Sequence, residues 1–192
     1  MSGRKIESCY ENPIDNLYIE LAEKISPYFK KLGFTANGIT GLSALFGLVS
    51  IHAMYQKKYT VSGLCYLIQY FFDCMDGNYA RRYNQVSETG DKLDHYKDFT
   101  VLIGISFFFI IRKQWLGVFL LFGASSCIFH LGCQEIMYEK EESPTLSFTK
   151  KFTYCFDKDS AGRILPYSRW FGPGTWATLL SVYIMSLDQK KI

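Results

Sequence analysis

Residues 73–98 read DCMDGNYARRYNQVSETGDKLDHYKD, and this stretch places four aspartates where apolar runs begin and end. Asp73 and Asp76 close a run that starts at Tyr59, while Asp94 and Asp98 open another that finishes at Ile111. A carboxylate on a membrane helix costs roughly 2.5–3.5 kcal/mol on insertion scales, so four represent about 10–14 kcal/mol unless something neutralises them. Divalent cations would do so, and an oxygen-only ligand set suits Mg2+, Mn2+ or Ca2+ rather than zinc or copper. The stretch therefore predicts a metal site at a membrane face.

Outside it, charge is strongly segregated. The 192 residues suffice for a single domain over 1–192. Uncharged runs cover 32–56, 59–72, 99–111, 114–134 and 170–187. A spanning helix needs about 20 predominantly apolar residues. The first, fourth and fifth runs meet this unaided; the second and third meet it by continuing into the aspartate block, as 59–80 and 91–111. The expectation is an all-α, polytopic transmembrane helix bundle with five readable spans, its core at 33–187. A soluble five-helix bundle is the alternative, disfavoured because the first run, 25 residues without a charge, is long for a core helix.

Residues 14–32 put Ile14, Leu17, Tyr18, Leu21, Ile25 and Phe29 at helical spacing among charges. This predicts an amphipathic helix within a cytosolic segment 1–32, lying on the membrane surface or capping the bundle, with Pro27 as a kink. Residues 139–169 read as a charged linker broken by Pro144, Gly162 and Pro166. Gly33, Gly38, Gly41, Gly47, Ser43 and Ala44 give the first span a small-residue face for close helix approach.

With the N-terminus cytosolic, fifteen Lys and Arg fall on the inside segments and six outside, so the aspartates face the cytosol. A net charge of +3 without a basic stripe argues against nucleic acid. The first 30 residues lack an apolar leader core. The six cysteines form no CxxC pair, so neither a disulfide framework nor a zinc site is expected. His52 and His130 read as interior hydrogen-bonding residues, and Trp115, Trp170 and Trp176 as an aromatic belt. Lys150, Lys151, Arg163 and Arg169 read either as flanking charge or as receptors for an anionic headgroup.

On helical wheels Asp73, Asp76, Gly77, Ala80 and Arg81 share an arc of about 140°, and Gly90, Asp94 and Asp98 recur every four residues. A connection near 82–89 would make the two helices antiparallel neighbours, converging four carboxylates on one point. Gly77, Ala80 and Gly90 leave room beside it, and Arg81 offers a fork for phosphate oxygens. Such a site suits a substrate bearing a diphosphate, with about two divalent ions bridging its oxygens.

The spacing Asp73-x2-Asp76-Gly77-x2-Ala80-Arg81-x8-Gly90-x3-Asp94-x3-Asp98 resembles, at all eight positions, the signature of the CDP-alcohol phosphotransferase (phosphatidyltransferase) family. The resemblance implies a six-helix membrane enzyme that splits a CDP-linked donor, releases CMP and joins the remaining phosphoryl group to an alcohol or lipid acceptor. It implies Mg2+ or Mn2+ held by Asp73, Asp76, Asp94 and Asp98, with Asp98 alternatively the base on the acceptor. It assigns Gly77, Ala80, Arg81 and Gly90 to the CDP pocket, joined by Asn37 and Thr40 on the first span, where Ala36 stands in place of the usual proline. A homodimer within the bilayer, and the endoplasmic reticulum if the source is eukaryotic, also follow.

Arg82, Asn84, Ser87 and His95 resemble the choline/ethanolamine phosphotransferases, with His95 as a base or a polar boundary residue. That likeness favours a CDP-amino-alcohol donor and diacylglycerol acceptor. The alternative is a CDP-diacylglycerol donor with inositol, glycerol phosphate or serine as acceptor. Residues 160–176 resemble the entry to the fifth helix of compact synthases, where a sixth helix follows. Intramembrane prenyl transfer and a non-catalytic homologue or partner subunit are the competing classes.

Overall fold

The computed structural model describes residues 3–138, 153, 155 and 157–188. Among these, α1 spans Pro13–Lys31, α2 Ala36–Tyr55, α3 Tyr59–Arg82, α4 Glu88–Ile111, α5 Trp115–Ala124, α6 Cys127–Tyr138, α7 Lys158–Ser168 and α8 Pro173–Ser186; no strand occurs among them.

Local chemistry sets the boundaries. Asn12, Thr35, Ser87 and Asp157 cap α1, α2, α4 and α7, each side chain accepting from backbone N–H groups of the first turn. The N-terminus of α3 is capped from the far end of the chain, where Asp188 accepts from Thr60 N and Oγ1 at 2.6 Å. Four helices end alike, with a left-handed residue that reverses the chain: Gly33, Lys57, Asn84 and Lys113. Pro27 lies inside α1, and the Glu23 carbonyl it leaves without a helical donor accepts from Arg82 Nη1 at 2.6 Å.

Helix α3 is the hub, packing against α1, α2 and α8. The α2 side of this packing uses part of the small-residue face. Ser43 and Ser50 donate to the carbonyls of Gln69 and Ser62 on α3, and a methyl on Gly47 would stand 3.3 Å from Gln69 Cγ and 2.6 Å from Val101 Cγ2 of α4. Gly41 meets nothing, so the rest of that face is open. Helix α4 departs from the expectation of a close antiparallel partner for α3: it packs against α2 and α5 instead. The five-residue connection 83–87 reverses the chain, but α2 lies against both helices and splays them, leaving a cleft.

Among the described residues, two of three apolar clusters fill the helix bundle, the third lying between α6 and α7. One joins Met54, Val101, Ile105, Phe108 and Phe109 to Leu180 and Ile184; the other joins Ala22 of α1 to Ile39, Met75 and Tyr79. Outside, Leu45, Leu48, Leu64, Ile103, Phe107, Phe119, Phe122 and Val182 are exposed, an apolar girdle suited to lipid. Ala36–Tyr55 and Trp115–Met137 are long and apolar enough to cross a membrane by length and composition. The latter is interrupted at Ser125 and Ser126, which separate α5 from α6. The fifth expected span resolves into a 3-10 turn, Arg169–Phe171, and the 14-residue α8, whose ~21 Å falls short of a ~30 Å hydrocarbon core. Within the supposed linker, residues 158–168 form α7, with Pro166 tolerated inside it. Pro144, Lys150 and Lys151 lie outside the described residues.

The cysteines also differ from expectation. Cys133 and Cys155 form a disulfide, Cα to Cα 5.4 Å, with Cys155 lying against α6 and both buried beside Ala161 and Leu165 of α7. His130 is buried and bonded to Ser168 and Gln134, as an interior histidine is, whereas His52 is exposed near the end of α2 and pairs only with Gln56 one turn on, so it is not the interior residue expected.

Helix α1 has two working sides. Asp15, Ile19, Ala22 and Ser26 face the bundle, while Leu17, Leu21, Tyr28 and Leu32 form an exposed stripe within about 60° of arc on the other. Asp15 ties three helices: it accepts from Tyr70 Oη at 2.7 Å and from Gly174 N at the start of α8 at 3.3 Å. Burial pushes its pKa up to about 7, the Tyr70 hydrogen bond opposing the shift. An unfolded aspartate releases its proton near 4 whereas the folded one keeps it to about 7, so stability falls as pH rises across that window. Asp15→Asn should therefore stabilise the protein at pH 8 relative to wild type, by up to about 4 kcal/mol, and much less at pH 5. Thermal unfolding in detergent at the two pH values reads the effect; parallel pH profiles for both proteins would contradict it.

Candidate active site

The cleft between the splayed helices carries the site. Asn37 and Thr40 from α2, Gly77, Ala80 and Arg81 from α3, and Gly90 from α4 line one cavity of about 260 Å3, together with Asp76, Asp94 and His95. The N-terminus of α2 opens into it at Ala36 and Asn37, presenting the positive end of a helix dipole.

Glycine at 90 leaves room for the side chain of Asn37 where α2 meets α4. A Cβ on Gly90 would stand 2.9 Å from Asn37 Oδ1 and 3.1 Å from the capping Ser87 Oγ. Ala36, where the family resemblance led one to expect proline, uses its N–H: it donates to Gln85 Oε1 at 2.7 Å, tying the start of α2 to the connection between α3 and α4. A proline could not make this bond. The guanidinium of Arg81 lies over Gly77 and its Nε donates to the Gly3 carbonyl at 2.8 Å, so the N-terminal segment reaches the rim. Lys5 follows on the same rim, paired with the buried Glu135.

The four aspartates do not meet at one point. Asp73, Asp94 and Asp98 each bring an oxygen within 4.8 Å of the others, and Lys97 Nζ sits among them. It lies 2.8 Å from Asp94, 3.0 Å from Asp98 and 3.2 Å from Ser43 Oγ, and also pairs with Asp73. Asp76 stands apart. It is 6% exposed, lines the cavity, and its Oδ2 is buried without a hydrogen-bond partner among the described residues. Oxygen donors of this kind, including one left bare, fit a hard divalent cation.

His95 lines the cavity with its Nδ1 2.7 Å from the Asp91 carbonyl. A carbonyl can only accept, so Nδ1 carries the hydrogen and Nε2 of the neutral ring keeps a lone pair. Asp98 is more exposed and does not line this cavity; it lines a second one of about 560 Å3. That second cavity shares Asp76, Gly77, Arg81, Asp94 and His95 with the first and runs on past Ile105, Leu121 and Leu180 into apolar surroundings.

Lys97, Lys5 and Gln85 are the residues that the sequence reading did not single out for the site. A signal existed for Lys97. On the α4 wheel it lies about 60° to one side of Asp94, as His95 lies about 60° to the other side of Asp98.

Comparison with known proteins agrees with the motif. The chain is 27% identical over 116 residues to archaetidylinositol phosphate synthase of Pyrococcus horikoshii, a match covering 58% of this chain and 61% of that protein. The chain thus spans about three-fifths of the length of that curated relative. No solved structure matches it significantly. The CDP-alcohol phosphatidyltransferase family model matches residues 34–157, which include α2 to α6 and every aspartate of the cleft, and the chain belongs to that family.

Proposed function

We propose that this chain transfers a substituted phosphoryl group from a CDP-linked lipid to a polar alcohol, releasing CMP, in phospholipid synthesis. The observation that carries the reading is the single cavity into which three helices bring Asn37, Thr40, Gly77, Ala80, Arg81 and Gly90 beside Asp76 and Asp94. The positive end of α2 and the Arg81 fork suit a diphosphate, and the absent side chain at Gly90 lets Asn37 approach it. The apolar extension of the second cavity suits an acyl or isoprenoid chain.

In this reading Asp76 and Asp94 hold divalent metal with their neighbours, and Mg2+ or Mn2+ would supply Lewis-acid polarisation of the diphosphate. His95 Nε2 takes the proton of the acceptor hydroxyl; Asp98 is the second candidate for that role. The freed oxygen bonds to the phosphorus carrying the lipid, the bond from that phosphorus to the CMP oxygen breaks, and CMP departs with Arg81 offsetting its charge.

The donor is the finer point. The surroundings of His95 resemble the choline/ethanolamine branch, whereas the relative of established name makes an inositol phosphate lipid. The second consideration covers most of the matched length, so the CDP-lipid donor with an inositol-phosphate-type or similar polar acceptor is the reading favoured here. The excess of Lys and Arg on one side points the cavity to the cytosol.

Membranes containing the protein, given radiolabelled CDP-diacylglycerol, CDP-choline and CDP-ethanolamine separately, should form labelled lipid and CMP with the first in the presence of a polar alcohol. Product from the amino-alcohol donors and diacylglycerol would reverse the donor assignment, and no CMP from any would remove the function. Asp94→Asn should abolish CMP release while the protein stays inserted; undiminished turnover would refute its role. His95→Ala should slow turnover about 10²–10⁴-fold. A change below about threefold would leave Asp98 as the base.

A further inference from the structure

Lys97 has no part in the motif, yet its ammonium occupies the middle of the carboxylate cluster. Its side chain is 3% exposed, and its partners come from three helices: Asp73 on α3, Asp94 and Asp98 on α4, and Ser43 on α2. Each of the three carboxylates spends one oxygen on it. A Mg2+ or Mn2+ ion bound by those same oxygens would sit ~2.1 Å from them, hence within a few ångströms of a fixed positive charge that has almost no contact with solvent. The fourth carboxylate is different. Asp76 forms no ion pair with Lys97, though it lies close enough to feel its charge; it lines the cavity of the nucleotide-binding signature, and its Oδ2 is buried without a hydrogen-bond partner among the described residues.

We infer that Lys97 is a resident cation of this cluster, filling the position of one metal ion, so that the site takes a single divalent ion on the Asp76–Asp94 side. This deepens the proposed function and rests on its metal-binding reading. A family site built for two ions would here run with one ion and one ammonium. The ammonium permanently offsets one unit of the charge on Asp73 and Asp98 and leaves the exchangeable ion beside the diphosphate.

The test is the number of Mn2+ ions bound per chain, measured on detergent-purified protein by titration with electron paramagnetic resonance detection of free Mn2+. Wild type should bind one ion, Asp76→Asn none, and Lys97→Met, which keeps length without charge, two. Chelation with EDTA should lower the melting temperature of Lys97→Met more than that of wild type, because only the variant loses every cation among its aspartates. Two ions in wild type, or one in both wild type and Lys97→Met, would overturn the inference while leaving the metal site and the proposed function standing. No ion in a folded wild-type protein would remove the metal reading itself, and the inference with it. Should Lys97→Met fail to insert, the wild-type count alone decides between one ion and two.

Discussion

Like charges held side by side are the constraint from which the rest of this structure follows. Asp73, Asp94 and Asp98 lie on two helices that do not pack along each other, and only a cation between them makes that proximity tolerable. Lys97 meets the requirement from within α4, and Ser43 steadies it from α2, so three helices are fixed in register around one ammonium. The separation of α3 from α4 is then useful rather than wasteful: it opens the cleft whose walls carry the motif. Removing one partner from such a set strands charge in a medium that solvates it poorly.

The remainder of the bundle holds this cleft at the edge of an apolar body. The packed clusters around Phe108 and Met75 lie to either side, and the exposed leucines and phenylalanines of α2, α4 and α5 face outward. Helix α1 joins the polar and apolar zones. Its inward face carries Asp15 to Tyr70 and to the start of α8, while Leu17, Leu21 and Tyr28 look the other way.

Much of this was legible in the chain before folding. Runs without charge marked the helices, and the spacing of Asp73 to Asp98 named the family, because both signals are periodic and local. What failed to show was whatever depended on packing between elements. A short connection at 83–87 suggested paired helices, but nothing local reveals that α2 intrudes between them. Lys97 counted as ordinary inward-side charge until its neighbours were known. The pairing of Cys133 with Cys155 depends on packing against α6 that no spacing rule encodes, and α8 proved shorter than its apolar run because Gly172 and Pro173 begin the helix late.

The bond from Ala36 N–H to Gln85 Oε1 has an evolutionary corollary. Its two ends stand 49 positions apart and serve a single junction, the meeting of one helix start with the loop below the cleft. Descendants that acquire proline at 36 lose the donor, and the amide at 85 then has nothing to accept from there. The pair should drift together, proline appearing in company with a changed residue 85, so that one substitution records the other across lineages.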